Sequence, residues 1–324
     1  MAAAKSDVLL IGPARPVITR GLEDFTLHRL SAAPDRAAFL ASVPHVRAMA
    51  VAAPVEPIDD ALLARLPVLE IIASFGVGYD HIDASTACKR GIVVTNTPDV
   101  LTEEVADTTI GLLISTVREL PQAERFLRAG KWRQGTYPLS KATLRNRTVG
   151  LVGIGRIGRA IARRLDAFGV PVVYHSRRKR PDMAYRHYVD LLRMADAVDT
   201  LIVIVPGGPE TRNIIDARVL EALGPKGILI NMARGSVVDE PALIAALKQS
   251  KIMAAGLDVF VNEPDVPAEF LRMDNVVLLP HLGSASVFTR ERMDQLLVDN
   301  ILAWAAGKPP LTPVPETPWR SWKT

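Results

Sequence analysis

The feature that most constrains this chain is a repeated alternation. Short apolar runs ending in Gly, Pro or Asn occur at 8–11, 49–52, 69–74 and 92–95, with helix-compatible stretches such as 59–66 and 83–90 between some of them. A second series starts at Thr148, with candidate strands at 149–153, 170–175, 200–205, 227–231, 254–258 and 276–279. Apolar runs of this kind suit strands buried on both faces, and strand–helix alternation builds a parallel sheet covered by helices. Between the two series, 102–120 reads as a connecting helix, with Thr102 as N-cap, Glu103 and Glu104 in its first turn and Pro121 as its stop. The stretch 131–147, which carries Trp132 and Tyr137, is polar and irregular. A final helix covers 287–304, and the tail from Gly307 is expected to pack on the first domain.

A chain of 324 residues is long for a single core, so two domains are expected. Aromatics make up only 5% of the residues and apolar types 48%, so Ala, Val, Leu and Ile must fill most of the interior. The net charge of +4 is spread along the chain and reads as a mixed, solvated surface rather than a nucleic-acid footprint. The one cysteine, Cys88, cannot form a disulfide within the chain, which fits a reducing compartment and a cytoplasmic location. Cys88 is expected to be buried filler rather than a nucleophile. The N-terminus lacks a long apolar segment, and no apolar run approaches the roughly 20 residues that a membrane span needs.

The strongest motif is VGLVGIGRIGRAIARRL, in which Gly153, Gly155 and Gly158 form G-x-G-x-x-G directly after a strand and at the head of a helix. In that setting the first Gly makes the tight turn, the second lets the backbone approach a pyrophosphate, and the third lets helix and strand pack closely. The helix start, with Arg156 and Ile157, presents unpaired N–H groups to the anion. The expected fold class is therefore α/β, with two Rossmann-like doubly wound parallel-sheet domains and a cleft between them.

The end of the next strand distinguishes the two nicotinamide dinucleotides. An acid about 20 residues beyond the loop would bind the ribose hydroxyls of NAD, and a basic residue there accommodates the phosphate of NADP. Here the sequence reads VVYHSRRKRPD: Ser176, Arg177 and Arg178 stand where the acid would be, and Asp182 comes too late. Guanidinium groups suit bidentate phosphate contact. NADP(H) is therefore expected in preference to NAD(H). Lys179 and Arg180 read as solvated charge, and His175 as part of the ribose rim.

Ligands of open α/β sheets bind at the carboxyl ends of the strands. Arg234 follows the strand GILIN, Glu263 follows AAGLD, and His281 follows VVLLP, so all three fall at one sheet edge. Singly each has an ordinary reading as a loop charge, a turn residue or a structural imidazole. Together they supply a proton donor in His281, a carboxylate that favours and orients its imidazolium in Glu263, and a planar partner for a substrate carboxylate in Arg234. Arg234 would also polarise a keto oxygen, and Asp258 would order the cofactor side. The histidines lie apart in sequence and no Cys cluster exists, so no metal is expected. In the first series, ASFGVGYD puts a Gly-rich turn at a strand end, where the backbone N–H groups of Val77 and Gly78 would help hold a small anion.

The segments ASFGVGYDHID, NTPDVLTEEVADTTIGLLI, GKW, TVGLVGIGRIG, NMARGSVVDEPAL, AGLDVFVNEP and LLPHLGSAS stand in an order that resembles the D-isomer-specific 2-hydroxyacid dehydrogenase family along nearly the whole chain. Within it the chain is most similar to glyoxylate/hydroxypyruvate reductases, through Ser176-Arg177-Arg178. The resemblance implies a flavodoxin-like substrate domain from 1–98 and 286–324, an inserted NADP-binding domain over 99–285, and a homodimer built on the latter. It implies Arg234, Glu263 and His281 as the catalytic set, and cofactor contacts from Thr109, Val205, Pro206, Ala233 and Asp258, with Gly283 beside them. The expected reaction is NADPH-dependent reduction of a small 2-keto acid to the D-2-hydroxy acid. A larger substrate such as phenylpyruvate is the alternative, and a dinucleotide-sensing, corepressor-like binding protein is the alternative of a different class. Trp132 or Tyr137 would either reach a neighbouring subunit's cleft, as residues of this loop do in some relatives, or serve core or dimer packing.

Overall fold

The computed structural model describes residues 6–53 and 56–319. The chain divides into two compact units, Met1–Leu101 with Ser286–Thr324, and Thr102–Ala285. In the first unit, strands β1 (Asp7–Ile11), β2 (Thr26–Arg29), β3 (Ala48–Val51), β4 (Ile71–Ser74) and β5 (Val93–Thr95) alternate with helices α1 (Pro16–Gly21), α2 (Arg36–Ser42), α3 (Asp60–Leu63) and α4 (Ala84–Lys89). The sheet order is β2-β1-β3-β4-β5 with every pairing parallel, the flavodoxin-like order. β3 and β4 are buried along their whole length, and all their residues but Ser74 at the end of β4 are apolar.

The second unit opens with α5 (Thr102–Arg118) and α6 (Leu120–Arg128). There follow β6 (Val149–Val152), α7 (Arg156–Ala167), β7 (Val172–His175), β8 (Arg186–Tyr188), α8 (Leu191–Asp196), β9 (Thr200–Val203), α9 (Ala217–Leu223), β10 (Ile228–Asn231), α10 (Glu240–Lys248), β11 (Ala254–Leu257), α11 (Ala268–Arg272) and β12 (Val276–Leu278). The parallel sheet runs β12-β11-β10-β9-β6-β7-β8, so the winding reverses between β6 and β9. That reversal is the switch point at which such sheets open a crevice.

The chain then returns to the first unit as α12 (Val287–Ala305). At the start of α1, Arg15 donates to both oxygens of Asp294 of α12 at 2.5–2.9 Å, and that carboxylate is nearly buried. The tail packs on the free edge of β5. Val314 donates its N–H to the Val94 carbonyl at 2.9 Å, Thr317 Oγ1 accepts from Val94 N at 2.8 Å, and Thr95 bridges Pro313. An edge covered in this way no longer offers unpaired backbone groups.

Several expectations are corrected. The second sheet has seven strands rather than six, and β2 is also additional. The added strands, TLHR and RHY, lie at sheet edges and carry little apolar sequence. The first crossing between units falls after Leu101 rather than after residue 98, because α5 starts at Thr102 and packs on α7 and β11. Thr102 is the first helical residue rather than a cap. Pro121 does not stop α5; Glu119 breaks it in the left-handed region (φ +55°), and Pro121 lies in the first turn of α6, where its missing N–H costs nothing. Cys88 is exposed on α4 rather than buried.

The contact between α5 and the second sheet is close because β11 carries Gly256. A Cβ there would lie 2.5 Å from Thr116 Oγ1 and 2.9 Å from Leu112 Cγ, both on α5, and 2.8 Å from Ile230 Cδ1 of β10. Gly256→Ala is expected to destabilise the protein by about 1–3 kcal/mol through overpacking, measured as a lower urea midpoint with an unchanged m-value.

Candidate active site

The glycine loop lies at the switch point. Gly153 has φ +107°, and a Cβ there would sit 2.6 Å from the Ile204 carbonyl oxygen, so neither the turn nor the space admits a side chain. A Cβ at Gly158 would meet Gly153 O at 2.5 Å, which is why α7 can lie tight on β6. Gly155, the N-cap of α7, is different: no atom lies within 4 Å of where its Cβ would be. The loop thus leaves a cradle before the first N–H groups of Arg156, Ile157 and Gly158. This fits a pyrophosphate, and with it a nicotinamide dinucleotide. Val205, followed by Pro206, is the second residue after β9, and its Cγ1 lies 3.0 Å from where the Gly153 Cβ would be.

At the end of β7 the basic loop is braced by β8. His187 Nε2 lies 2.9 Å from the Ser176 carbonyl, and His175 Nδ1 lies 3.0 Å from the Tyr188 carbonyl. Burial holds the His175 imidazole below its ordinary pKa, against the pull of that carbonyl. Ser176 Oγ donates to the Arg178 carbonyl at 2.7 Å. Arg177 Nη1 donates to Glu210 Oε2 at 2.5 Å, with both side chains highly exposed. Asp182 pairs with Arg159 of α7.

The ends of β10, β11 and β12 carry the three residues singled out from sequence. Glu263 Oε2 accepts from His281 Nδ1 at 2.6 Å, and Glu263 Oε1 accepts from Phe260 N at 3.0 Å. Burial works to raise the Glu263 carboxyl. The hydrogen bonds from His281 and Phe260, with the charges of His281 and Arg234, outweigh it and hold Glu263 below the ordinary carboxylate range. An ionised carboxylate only accepts, so Nδ1 carries the proton of this bond and Nε2 is the ring's other face for chemistry. His281 holds φ +51°, a conformation few side chains adopt, and its N–H donates to the Asp258 carbonyl at 2.8 Å.

Asp258 is buried, and its two oxygens accept from Leu282 N at 2.7 Å and Gly283 N at 2.9 Å. Burial raises its pKa, opposed by those two N–H donors. It therefore shapes the His281 loop. Gly283 packs closely beside it: a Cβ would lie 3.0 Å from Asp258 Oδ2 and 3.0 Å from Met232 Cε. Thr109 is fully buried and gives its hydroxyl to the Val105 carbonyl, whereas neighbouring Thr108 reaches Gly283 O at 3.2 Å. Ala233 is buried, and its carbonyl accepts from Arg234 Nη1 at 2.8 Å.

Residues not anticipated from sequence build the support. Asn231, at the end of β10, accepts from Ala233 N at 3.1 Å and donates to Arg234 O at 3.0 Å, which fixes the Arg234 turn. Gly235 presses on the neighbouring loop so closely that a Cβ would fall 1.9 Å from Phe260 C. Glu240 Oε1 accepts from Val261 N at 2.8 Å, while Asp239 beside it caps α10. The reach of Glu240 depends on β11 lying next to β10, which its place in the sequence does not show.

In the first unit, the turn after β4 is described by itself. Gly76 has φ +109°; its N–H donates to Thr97 Oγ1 and its carbonyl accepts from Thr97 N, both at 2.8 Å. Asn96 Nδ2 donates to Val77 O at 2.8 Å. Among the described residues, the N–H groups of Val77 and Gly78 donate to no backbone carbonyl. Tyr79 donates to Glu316 of the tail at 3.0 Å, and burial together with that carboxylate pushes its hydroxyl up to about 12.

The Glu263–His281 bond has a pH signature. A carboxyl depressed in the folded state stabilises above its unfolded value of about 4.3, and that stability is lost as pH falls through the folded value. Glu263→Gln is therefore expected to lower the urea midpoint at neutral pH, with the gap to wild type narrowing below about pH 4. Parallel midpoints across that range would contradict an ionised Glu263.

Residues 110–283 match the family model described as the NAD binding domain of D-isomer specific 2-hydroxyacid dehydrogenases. The chain is 44% identical over 308 residues to the glyoxylate/hydroxypyruvate reductase A of Arabidopsis thaliana, covering 95% of this chain and 98% of the relative. It is 46% identical over 256 residues to the hydroxyphenylpyruvate reductase of Plectranthus scutellarioides, covering 79% and 82%. Among solved structures it superposes with a TM-score of 0.93, at 53% identity and 98% and 99% coverage, on the NADPH-dependent glyoxylate/hydroxypyruvate reductase of Sinorhizobium meliloti in complex with NADP and malonate. With two parallel sheets, a dinucleotide loop at the switch point and an acid-paired histidine at the strand ends, the chain belongs to the D-isomer specific 2-hydroxyacid dehydrogenase family of oxidoreductases.

Proposed function

We propose that this chain reduces a small 2-keto acid, glyoxylate or hydroxypyruvate, to the 2-hydroxy acid, of D configuration where carbon 2 is a stereocentre, and prefers NADPH over NADH. The observation that carries the reading is the 2.6 Å bond between His281 Nδ1 and Glu263. NADPH, when bound, supplies the hydride that adds to carbon 2. His281 gives the proton from Nε2 to the oxygen that gains charge, and Glu263 stabilises the imidazolium before the transfer. Arg234 pairs with the substrate carboxylate and polarises the keto oxygen. The N–H groups of Val77 and Gly78 are a further carboxylate site. Cofactor contacts fall to the Gly153–Gly158 loop, Val205, Pro206 and Ala233, with Asp258, Gly283 and Thr109 acting at its border.

The preference for NADPH is supported by the absence of an acid at the end of β7 and by Arg177 and Arg178 in its place. The NADP complex of the Sinorhizobium relative supports it too. A second reading, reduction of a larger acid such as phenylpyruvate, is supported by the likeness to the Plectranthus enzyme. A homodimer through the second unit is supported by its exposed apolar side chains Leu127, Trp132 and Leu139, at 55%, 65% and 94% exposure. Tyr137 turns inward instead, donating to Glu119 and lying edge-on to Phe126. No described helix is long and apolar enough to cross a membrane. The single cysteine supports a cytoplasmic location.

Initial rates with glyoxylate, hydroxypyruvate, pyruvate and phenylpyruvate, each with NADPH and NADH, test substrate class and cofactor together. His281→Ala is expected to cost about 10²–10⁴ in kcat while NADPH still binds. Absence of turnover in the wild type, with NADPH bound, would favour the sensing protein.

Arg177→Ala is expected to weaken NADPH by about 1–3 kcal/mol and NADH far less. The Arg177–Glu210 pair competes with a phosphate for the same guanidinium, so Glu210→Gln is expected to tighten NADPH and leave NADH unchanged. Equal losses of both cofactors in Arg177→Ala would refute the assignment.

A further inference from the structure

The first unit carries a cluster of metal-binding side chains that the reductase reading does not use. Asp7 is the first residue of β1, His28 lies in β2, and His45 precedes β3. The β1–β2 register sets His28 opposite Leu9, two residues on from Asp7, so the Asp7 and His28 side chains share a face of the sheet. Asp7 Oδ1 lies 2.7 Å from His28 Nε2 and 3.7 Å from His45 Nε2. The imidazoles stand nearly perpendicular, with ring centroids 5.7 Å apart, and one ligand atom from each residue lies within 4.8 Å of the others. All three side chains reach solvent, at 26%, 21% and 53% exposure.

We propose that Asp7, His28 and His45 form a binding site for one divalent transition-metal ion of the zinc type. The donor set selects the class of ion: imidazole nitrogens suit Zn²⁺, Co²⁺, Ni²⁺ and Cu²⁺, whereas Ca²⁺ and Mg²⁺ take oxygen ligands. Bonds of about 2.0–2.1 Å in a tetrahedron put ligand atoms roughly 3.3 Å apart. The two separations from Asp7 Oδ1 fall on either side of that spacing, and no pair of ligand atoms is more than 4.8 Å apart, so small side-chain rotations would complete the site, with water in the fourth position. Because His28 and Asp7 are held on neighbouring strands, little chain entropy is spent in assembling them. His45, the most exposed of the three, already stands within reach of both. A bound ion would join β1, β2 and the segment entering β3, a link formed in the folded state and absent from the unfolded one. The site is distinct from the turn at Gly76 and Gly78, which follows the carboxyl end of β4.

The test uses the full chain, freed of metal by chelation. Zn²⁺ is titrated by calorimetry, and Co²⁺ is followed by its visible absorption. The expected result is one saturable equivalent with a tetrahedral Co²⁺ spectrum, and a Tm that rises with Zn²⁺. His45→Ala, at the most exposed ligand, is expected to weaken this binding by at least the about 10–100-fold that loss of an outer-shell partner costs. It should leave reductase rates and the metal-free Tm unchanged. His28→Asn should abolish the Co²⁺ spectrum while retaining a hydrogen-bonding group for Asp7. No saturable binding in the wild type, or binding undiminished in both variants, would overturn the proposal. Binding lost in His281→Ala but retained in His45→Ala would overturn it equally, by placing the metal at the reductase centre.

Discussion

The placement of every candidate site loop in the second unit depends on one constraint: its strands are parallel. A parallel sheet carries all its carboxyl ends to one edge, and each strand must leave that edge through a loop. Residues far apart in sequence, the glycine loop after β6, the basic loop after β7 and the turns after β10, β11 and β12, are thereby gathered without any contact having to recruit them. The switch between β6 and β9 then opens the place where a dinucleotide can lie, because neighbouring loops turn away from each other there.

Gathering loops does not aim side chains, and a second layer of polar groups does that. Asp258 uses its carbonyl and both carboxylate oxygens on three consecutive N–H groups, His281 to Gly283. Asn231 ties the two ends of the Arg234 turn, and Glu240 holds Val261 one residue beyond the N–H that grips Glu263. Burial raises Glu240, with the nearby Glu263 charge adding to it. Two carboxyl groups thus sit close together in one loop system, one pushed up and one held down. Divergence of this kind separates a supporting acid from the carboxylate that accepts from the His281 ring.

The alternating apolar runs made most of both sheets legible, because strands buried on both faces must be apolar along their length. β2 and β8 were not legible for the converse reason: an edge strand has solvent beside it, and TLHR or RHY carries no such demand. Yet β8 is what braces Ser176 and His175. Strand ends also made Arg234, Glu263 and His281 legible as neighbours. Asn231, Gly235 and Glu240 were not, since each acts on a group that only tertiary packing brings near. Gly235 has no meaning in sequence until Phe260 lies against it. Cys88 and Pro121 show the limit of single-residue habits. The first is exposed despite its type, and the second opens a helix where a helix-breaking role was expected.

The tail bonded to β5 has a consequence for the order of assembly. The Gly76 turn leans on Asn96 and Thr97, Asn96 is held by Thr312, and Tyr79 by Glu316. During synthesis, the first hundred residues emerge without α12 or this tail, while everything the second sheet needs is present once residue 285 has appeared. The inserted unit can therefore mature first. Its folding shortens the effective loop separating the two halves of the other unit and so reduces the entropy lost when they join. The unit begun first on the ribosome is the one completed last.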